Sequence, residues 1–427
     1  MKRLAVFLLL LSVFAVSCKK DAVNITTPDA PANTISGSTT LATTVTTSTV
    51  PAGLPKRVAF GAEGDISQST QFINEAEYQY VYLAGDIFSN SGWAQWQAPT
   101  GQYARNFLSK VGSMGKIPVF TYYNLVPAKG RYEDPAFTNL NDAEVMNKYF
   151  NDWKLLLQIC KEYGKTVVIH YEPDMFGYFE LYKNDASKQT VKVAASNQAD
   201  VQGFSNNAQG LAQAIVNMRN KYAPNVLLAW HASQWASGMG LITNYPDPVQ
   251  DGTAIANYYK SLNANFDLIF SDFADRDEGY YQVVKNQNTV WSTSGTAANG
   301  YISDFDRYQR FLSTINQQTG KKIMLWQVPV GNTLTQTCNN SSGHYKDNRA
   351  EYFLQPVLQS ASTAKISQYG QAGVIGFLFG WGINGCTTYM DSNKDGVTGA
   401  NETADDDGGF LRKSIKAYYQ HGAIALQ

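Results

Sequence analysis

Glu172 and Asp174 close the segment from Thr166 to Phe179, TVVIHYEPDMFGYF, where a β-branched run gives way to charged and aromatic residues. Carboxyls this close can divide acid and base work, because like charge raises the pKa of one partner. Comparable groups follow other short apolar runs: Glu63 and Asp65; Asp86; Tyr122, Tyr123 and Asn124; His170; Trp230, His231 and Trp235; Asp272, Asp275, Asp277 and Glu278; Trp326 and Gln327; Phe379 and Trp381. One carboxyl to protonate a leaving oxygen, another to activate water or attack carbon, and rings to stack on a flat face would cleave a neutral, ring-bearing substrate.

Other chemistries find less support. Of the four histidines, His170 and His231 fall at strand ends, but no HxH or HExxH spacing arranges them for a catalytic metal. No GxSxG marks a serine nucleophile. The strongest local motif is Asp391 to Glu402, DSNKDGVTGANE, which satisfies D-x-[DN]-x-[DN]-G-x5-E in full. Oxygens of Asp391, Asn393 and Asp395, the Val397 carbonyl and a bidentate Glu402 would surround a structural Ca²⁺, with Gly396 permitting the sharp turn. A strand pattern precedes this loop instead of a helix, so a calcium loop inserted near the pocket rim is expected.

The elements that must position these groups alternate. Strand patterns begin near Arg57 (RVAFGAEGD), Tyr80 (YVYLAGD), Lys116 (KIPVFTYYN), Thr166 (TVVIHYEPD), Asn225 (NVLLAWHAS), Phe266 (FDLIFSD), Lys322 (KIMLWQVPVGN) and Gly373 (GVIGFLFGWG). Between them lie helical patterns such as EVMNKYFNDWKLLLQICKEYG, NAQGLAQAIVNMRNKY, DFDRYQRFLSTINQQTG and RAEYFLQPVLQSASTAKISQYG. About eight such pairs predict an α/β fold, a (β/α)8 TIM barrel over residues 56–427, in which residues just after each strand line the pocket. The rival open doubly wound sheet lacks its phosphate fingerprint: no GxGxxG or GKS/GKT motif follows an early strand.

The first residues resemble a secretory signal, with Lys2 and Arg3, an apolar run from Leu4 to Val16 and small residues before Cys18. Ala15-Val16-Ser17-Cys18 resembles a bacterial lipobox, and Lys19-Lys20-Asp21 resembles the start of many Bacteroidetes lipoproteins. That resemblance implies lipidation at Cys18 and membrane attachment through the lipid, on the outer membrane. Residues 19–55, rich in Thr, Ser, Ala and Pro, read as a disordered tether. Lys and Arg number 34 against 35 Asp and Glu, so nothing marks a nucleic-acid partner, and 13% aromatic content suits an uncharged one. A monomer is expected. Of the four cysteines, Cys160 falls on an apolar helix face, while Cys338 and Cys386 follow neighbouring strands and are expected to form a disulfide in an oxidising compartment.

With Glu172 after the fourth strand, the folded part resembles a TIM-barrel glycoside hydrolase of the clan that carries its acid/base Glu there. The resemblance implies a carbohydrate substrate, Glu172 as acid, and Asp86, Tyr122, Tyr123, His170, Trp230, His231, Trp235, Trp326, Gln327 and Trp381 around the sugar. The clan's second Glu, a nucleophile after strand seven, is replaced: LWQVPVGN carries Gln327, and a neutral amide cannot form a glycosyl ester. Three explanations stay open. Glu172, helped by Asp174, could work with Asp272 or Asp275 as base in an inverting reaction across about 6.5–9.5 Å; Gln327 could orient an acetamido group that assists its own cleavage; or the barrel binds glycan without catalysis.

Overall fold

The structure, a computed structural model, describes residues 48–65, 74–130, 137–183, 185–380, 384–388 and 407–426, all within the compact unit Thr47–Gln427. Cys18, the tether up to residue 47, Trp381 and the calcium-loop positions Asp391, Asn393, Asp395, Val397 and Glu402 lie outside the described residues.

The strands are β1 (Ala59–Glu63), β2 (Tyr78–Ala84), β3 (Ile117–Tyr123), β4 (Val167–Tyr171), β5 (Val226–His231), β6 (Leu268–Asp272), β7 (Ile323–Val328) and β8 (Val374–Phe379). Each pairs in parallel with the next, and β8 pairs with β1, which closes the barrel. This bears out the (β/α)8 reading. The helices are α1 (Gln102–Ser113), α2 (Phe137–Leu140), α3 (Ala143–Tyr163), α4 (Met175–Lys183), α5 (Ala208–Tyr222), α6 (Pro248–Ser261), α7 (Glu278–Lys285), α8 (Asp304–Thr319), α9 (Arg349–Ser360), α10 (Ala364–Gln371) and α11 (Asp407–His421).

Local chemistry sets their ends. Asp142 caps α3 by accepting from the amides of Glu144 and Val145, and Gly164, at φ 73°, stops it. Ser303 caps α8, and Gly320 ends it at φ 68°. The pattern RAEYFLQPVLQSASTAKISQYG divides into α9 and α10, because Ala361 takes a left-handed conformation, φ 55°, after the turn that contains Pro356.

Period-two alternation sorts the strand side chains into two cores. Tyr78, Tyr80, Val119, Val168, Phe270, Met324 and Trp326 fill the barrel, while Tyr122, Ile169, Tyr171, Trp230 and Leu325 pack outward beneath the helices. Two strand ends break the alternation. Glu172 has φ 40° and Gln327 φ 52°, backbone that an L side chain adopts only under constraint. At Gln327 the β7–β8 register also shifts, between Leu325 and Val328, so the bulge re-aims one residue.

Candidate active site

Four inward positions on consecutive strands form one chain of contacts. Thr121 Oγ1 lies 3.3 Å from His170 Nδ1, His170 Nε2 lies 2.9 Å from His231 Nδ1, and His231 Nε2 lies 3.4 Å from Asp272 Oδ1. Thr121 and His170 are register partners, whereas His231 and Asp272 each stand two residues beyond their partners, Ala229 opposite His170 and Phe270 opposite His231. Strand tilt brings such advanced positions level with one another in a closed barrel.

The chain has one consistent polarity. His170 donates from Nε2–H to His231 Nδ1 while its own Nδ1 accepts from the Thr121 hydroxyl, which leaves the His231 proton on Nε2, facing Asp272 Oδ1 in a contact without hydrogen-bond geometry. Burial, with the neighbouring His231 adding to it, holds His170 well below the ordinary histidine range and so neutral. Phe270 stacks on the His170 ring at 4.4 Å between centroids, and Trp326 meets it edge-on at 4.7 Å. The rings are therefore fixed by packing as well as by hydrogen bonds. The 3.4 Å contact is loose for a charge-assisted bond, which leaves Asp272 able to accept from water.

Asp174 supplies the opposing group. It is half-buried and accepts from the Tyr123 hydroxyl at 3.2 Å. Burial pushes its carboxyl up to about 6; the charges of Asp275 and Asp272 push the same way, against His231 and the Tyr123 bond. Asp174, His231, Asp272 and Asp275 all stand at or just past the carboxyl ends of β4, β5 and β6, at the mouth of the barrel, where the charges of the others act on Asp174. At the end of β7, the Gln327 amide donates to the Tyr82 hydroxyl. Burial first, then the nearby charge of Glu63, keeps Tyr82 protonated, with its pKa well above the usual tyrosine value. Trp326 and Tyr82 pack at 5.8 Å.

Glu172 stands elsewhere. Its carboxyl is fully buried, and Oε1 accepts from the amides of Asn124 (3.0 Å) and Leu125 (3.2 Å) and from the hydroxyl of Tyr149 on α3 (3.0 Å). Alternation along β4 would point it inward after Val168 and His170; the positive φ turns it toward α3. Burial raises its pKa to about 8, despite those bonds. Tyr122 and Trp230 are likewise buried in the outer layer, Tyr122 donating to Asp152 at 2.8 Å and Trp230 packing on Tyr259. Trp235 is half-buried against Tyr178. Asp86 accepts from the amides of Phe88 and Lys129, both at 2.9 Å, and so joins two loops.

A buried clamp fixes the rim from β6 to β8. Arg349 donates to Asp347 at 2.6 Å and to the carbonyls of Phe273 and Arg276. The Glu278 amide donates to Asp347, and the Thr387 amide to Asp277. Burial, then the charge of Asp347, drives the Asp277 carboxyl well up and that of Glu278 to about 9. Beside the clamp, Asp275, Arg276, Gln327, Pro329, Gly380 and Cys386 line a crevice too narrow for water. A depression of about 570 Å³ lies along Phe88, Glu144, Lys148 and Asn197.

The expected Cys338–Cys386 disulfide is corrected, for no disulfide joins them. The Cys338 sulfur accepts from the Asn332 amide at 3.4 Å and the Thr335 hydroxyl at 3.3 Å, within its own loop. Cys386 instead donates to the Asp275 carbonyl at 3.3 Å. Among the described residues, no group of three or more His, Cys, Asp or Glu side chains could hold a metal ion. Sequence reasoning passed over Tyr82 and Thr121, although each sits at an inward position of a readable strand.

No protein-family profile matches the sequence, and no curated protein matches it. Solved structures with a similar chain course include the GH53 catalytic domain of Ignisphaera aggregans (11% identity, 79% of this chain and 91% of that one, TM-score 0.44). A β-glucosidase from Thermotoga maritima, solved with galacto-hydroximolactam, is 9% identical over 82% of this chain and 86% of its own, with TM-score 0.45. The GH26 β-mannanase BoMan26A of Bacteroides ovatus is 9% identical over 87% and 91%, with TM-score 0.40. Likeness at this level transfers no residue's role.

Proposed function

We propose that this chain is a glycoside hydrolase acting on a poly- or oligosaccharide with inversion of configuration, Asp174 serving as general acid and Asp272 as general base. The observation that carries the reading is that Asp174 and Asp272 stand at the carboxyl ends of neighbouring parts of the barrel, with the charge of Asp272 acting on Asp174. Asp174, raised to about 6, holds a proton that can pass to the leaving oxygen. Asp272, oriented by the His231 contact at 3.4 Å, can take a proton from water as that water attacks the anomeric carbon. The bond from anomeric carbon to leaving oxygen breaks as the bond to water forms, and the two proton transfers balance. Tyr82, Tyr123 and Trp326 offer rings and hydroxyls toward the substrate.

In this reading the acid moves from Glu172 to Asp174, because Glu172 spends its carboxyl on backbone amides away from the mouth. Asp275, the exposed neighbour, is a third carboxyl within reach of the same charges. Lipid attachment at Cys18 and a calcium loop at 391–402 belong to the proposal on sequence grounds alone. The amide at Gln327 favours a second reading, a glycan-binding surface lipoprotein without turnover.

The test is a glycan panel incubated with wild type, Asp174→Asn and Asp272→Asn, with product anomers followed by NMR. Inverted product from wild type and a loss of about a hundredfold or more in each variant are expected. Retained configuration, or unchanged turnover in both variants, would overturn the mechanism. Tight oligosaccharide binding with no product from wild type would establish the second reading.

A further inference from the structure

Past the carboxyl ends of β6, β7 and β8, on the side of the barrel that carries the mouth, cations stand against aromatic rings. Tyr280, on α7, meets Tyr281 edge-on at 5.9 Å between centroids and Tyr345, from the segment between β7 and α9, at 5.5 Å. The Arg276 guanidinium lies 5.6 Å from the centre of the Tyr280 ring and the Lys285 ammonium 6.0 Å from it, within cation–π range. Lys346 belongs to the same patch, because its carbonyl accepts from the Gly279 amide at 2.8 Å in the first turn of α7.

The patch is held in place. Arg276 Nε donates to the Asn384 carbonyl at 3.0 Å. A side chain at position 385 would stand 2.7 Å from the Tyr280 ring and 2.9 Å from Arg276 Cδ, so glycine is what lets both pack on that turn. Tyr280 and Tyr281 are half-buried, whereas Lys285 and Lys346 are exposed. Among the described residues, Asp275, 4.0 Å from Arg276 Nη1, is the one carboxylate that comes within 4.0 Å of these three cations. Asp277, Glu278 and Asp347 are buried in the clamp around Arg349. The near-neutral total of the chain, 34 basic against 35 acidic residues, thus hides a local positive excess. It adjoins the mouth, since Arg276 and Gln327 line the same crevice.

We propose that Tyr280 and Tyr281, flanked by Arg276, Lys285 and Lys346, form a subsite for a sugar bearing an anionic group, a carboxylate or a sulfate, so that the substrate is an acidic glycan. This rests on the glycoside hydrolase reading and adds the class of glycan to it. An aromatic ring takes the apolar face of a pyranose, while the guanidinium and ammonium groups pair with the anion. A neutral glycan gains only the first of these contacts.

The test runs the full chain by affinity electrophoresis through gels containing polygalacturonate, alginate, chondroitin sulfate or carrageenan, with methyl-esterified pectin and galactan as uncharged counterparts. Retardation by at least one acidic glycan, stronger than by the neutral ones and lost in about 1 M NaCl, where charges are screened beyond about 3 Å, is expected. Retardation confined to the uronates or to the sulfated glycans identifies the anion. Lys285→Gln combined with Lys346→Gln, at two exposed positions, should weaken retention about tenfold. Arg276→Gln should weaken it further, with part restored in Arg276→Lys. A protein that no acidic glycan retards overturns the proposal, and so does retention unchanged in the double lysine variant. Cleavage of neutral glycans without retention on any acidic one refutes the subsite and keeps the hydrolase, while retention on an acidic glycan that is never cleaved keeps the subsite and refutes the hydrolase.

Discussion

His170 and His231 face each other across β4 and β5, Nε2 to Nδ1 at 2.9 Å, with both rings buried. Only one of the facing nitrogens can carry the proton, so the tautomer of His170 decides that of His231. The tautomer of His231 in turn decides whether Asp272 meets a donor or a lone pair. A contact with Thr121 three strands away thereby bears on a carboxylate at the mouth.

His170→Phe should keep the fold, since Phe270 and Trp326 already pack on that ring, but it frees His231 to rotate. We expect kcat to fall by up to about a hundredfold with KM little changed. A purely structural role would instead appear as lost stability with kcat preserved. Steady-state kinetics and thermal unfolding of the same preparation separate the two.

Asp174 acts only while protonated, and its raised pKa of about 6 sets the pH window. Wild-type kcat/KM should decline as pH rises through about 6, with roughly one molecule in ten still protonated at pH 7. Asp174→Asn should lower kcat/KM by about a hundredfold or more and abolish that descending limb. A limb that persists unchanged in the variant would assign the acid to another group.

Glu172 titrates at about 8 in the fold against an ordinary 4.5. The folded state therefore holds this proton more tightly than the unfolded chain. The resulting stability is complete below pH 4.5 and disappears as pH rises through about 8, with a slope of up to about 1.4 kcal/mol per pH unit between them. Glu172→Gln should remove this slope and remain folded, because the amide oxygen can accept from Asn124 and Leu125. Glu172→Ala, which strands those amides and the Tyr149 hydroxyl, should cost about 2–3 kcal/mol. Denaturant titrations at several pH values check both variants.

Arg349→Met should be the most damaging rim substitution, because it leaves buried Asp347 without its guanidinium partner. A loss of about 3–5 kcal/mol is expected. Double-mutant cycles with Asp347→Asn would recover part of it, and a strictly additive result would refute the clamp.

The barrel was readable because eight β-rich runs alternate with helical periods and end in polar or aromatic residues. Much of the site was readable by parity as well: with Tyr123 and His231 inward, their neighbours Tyr122 and Trp230 must face the helices, as they do. Parity fails at Glu172 and Gln327, where left-handed backbone turns each side chain away from the face that counting assigns. No local pattern announces such a conformation in a residue other than glycine.

The bulge in β7 carries a consequence for comparison between barrels. Trp326 is part of the interior core, and Gln327, its immediate neighbour, also reaches an inward tyrosine. Deleting Gln327 would restore regular pairing with β8 between Leu325 and Val328, yet it would strip Tyr82 of its donor. An aligned column is thus not a point in space: the functional counterpart of a seventh-strand residue in another barrel is whichever side chain reaches Tyr82's position, whatever its place in the count.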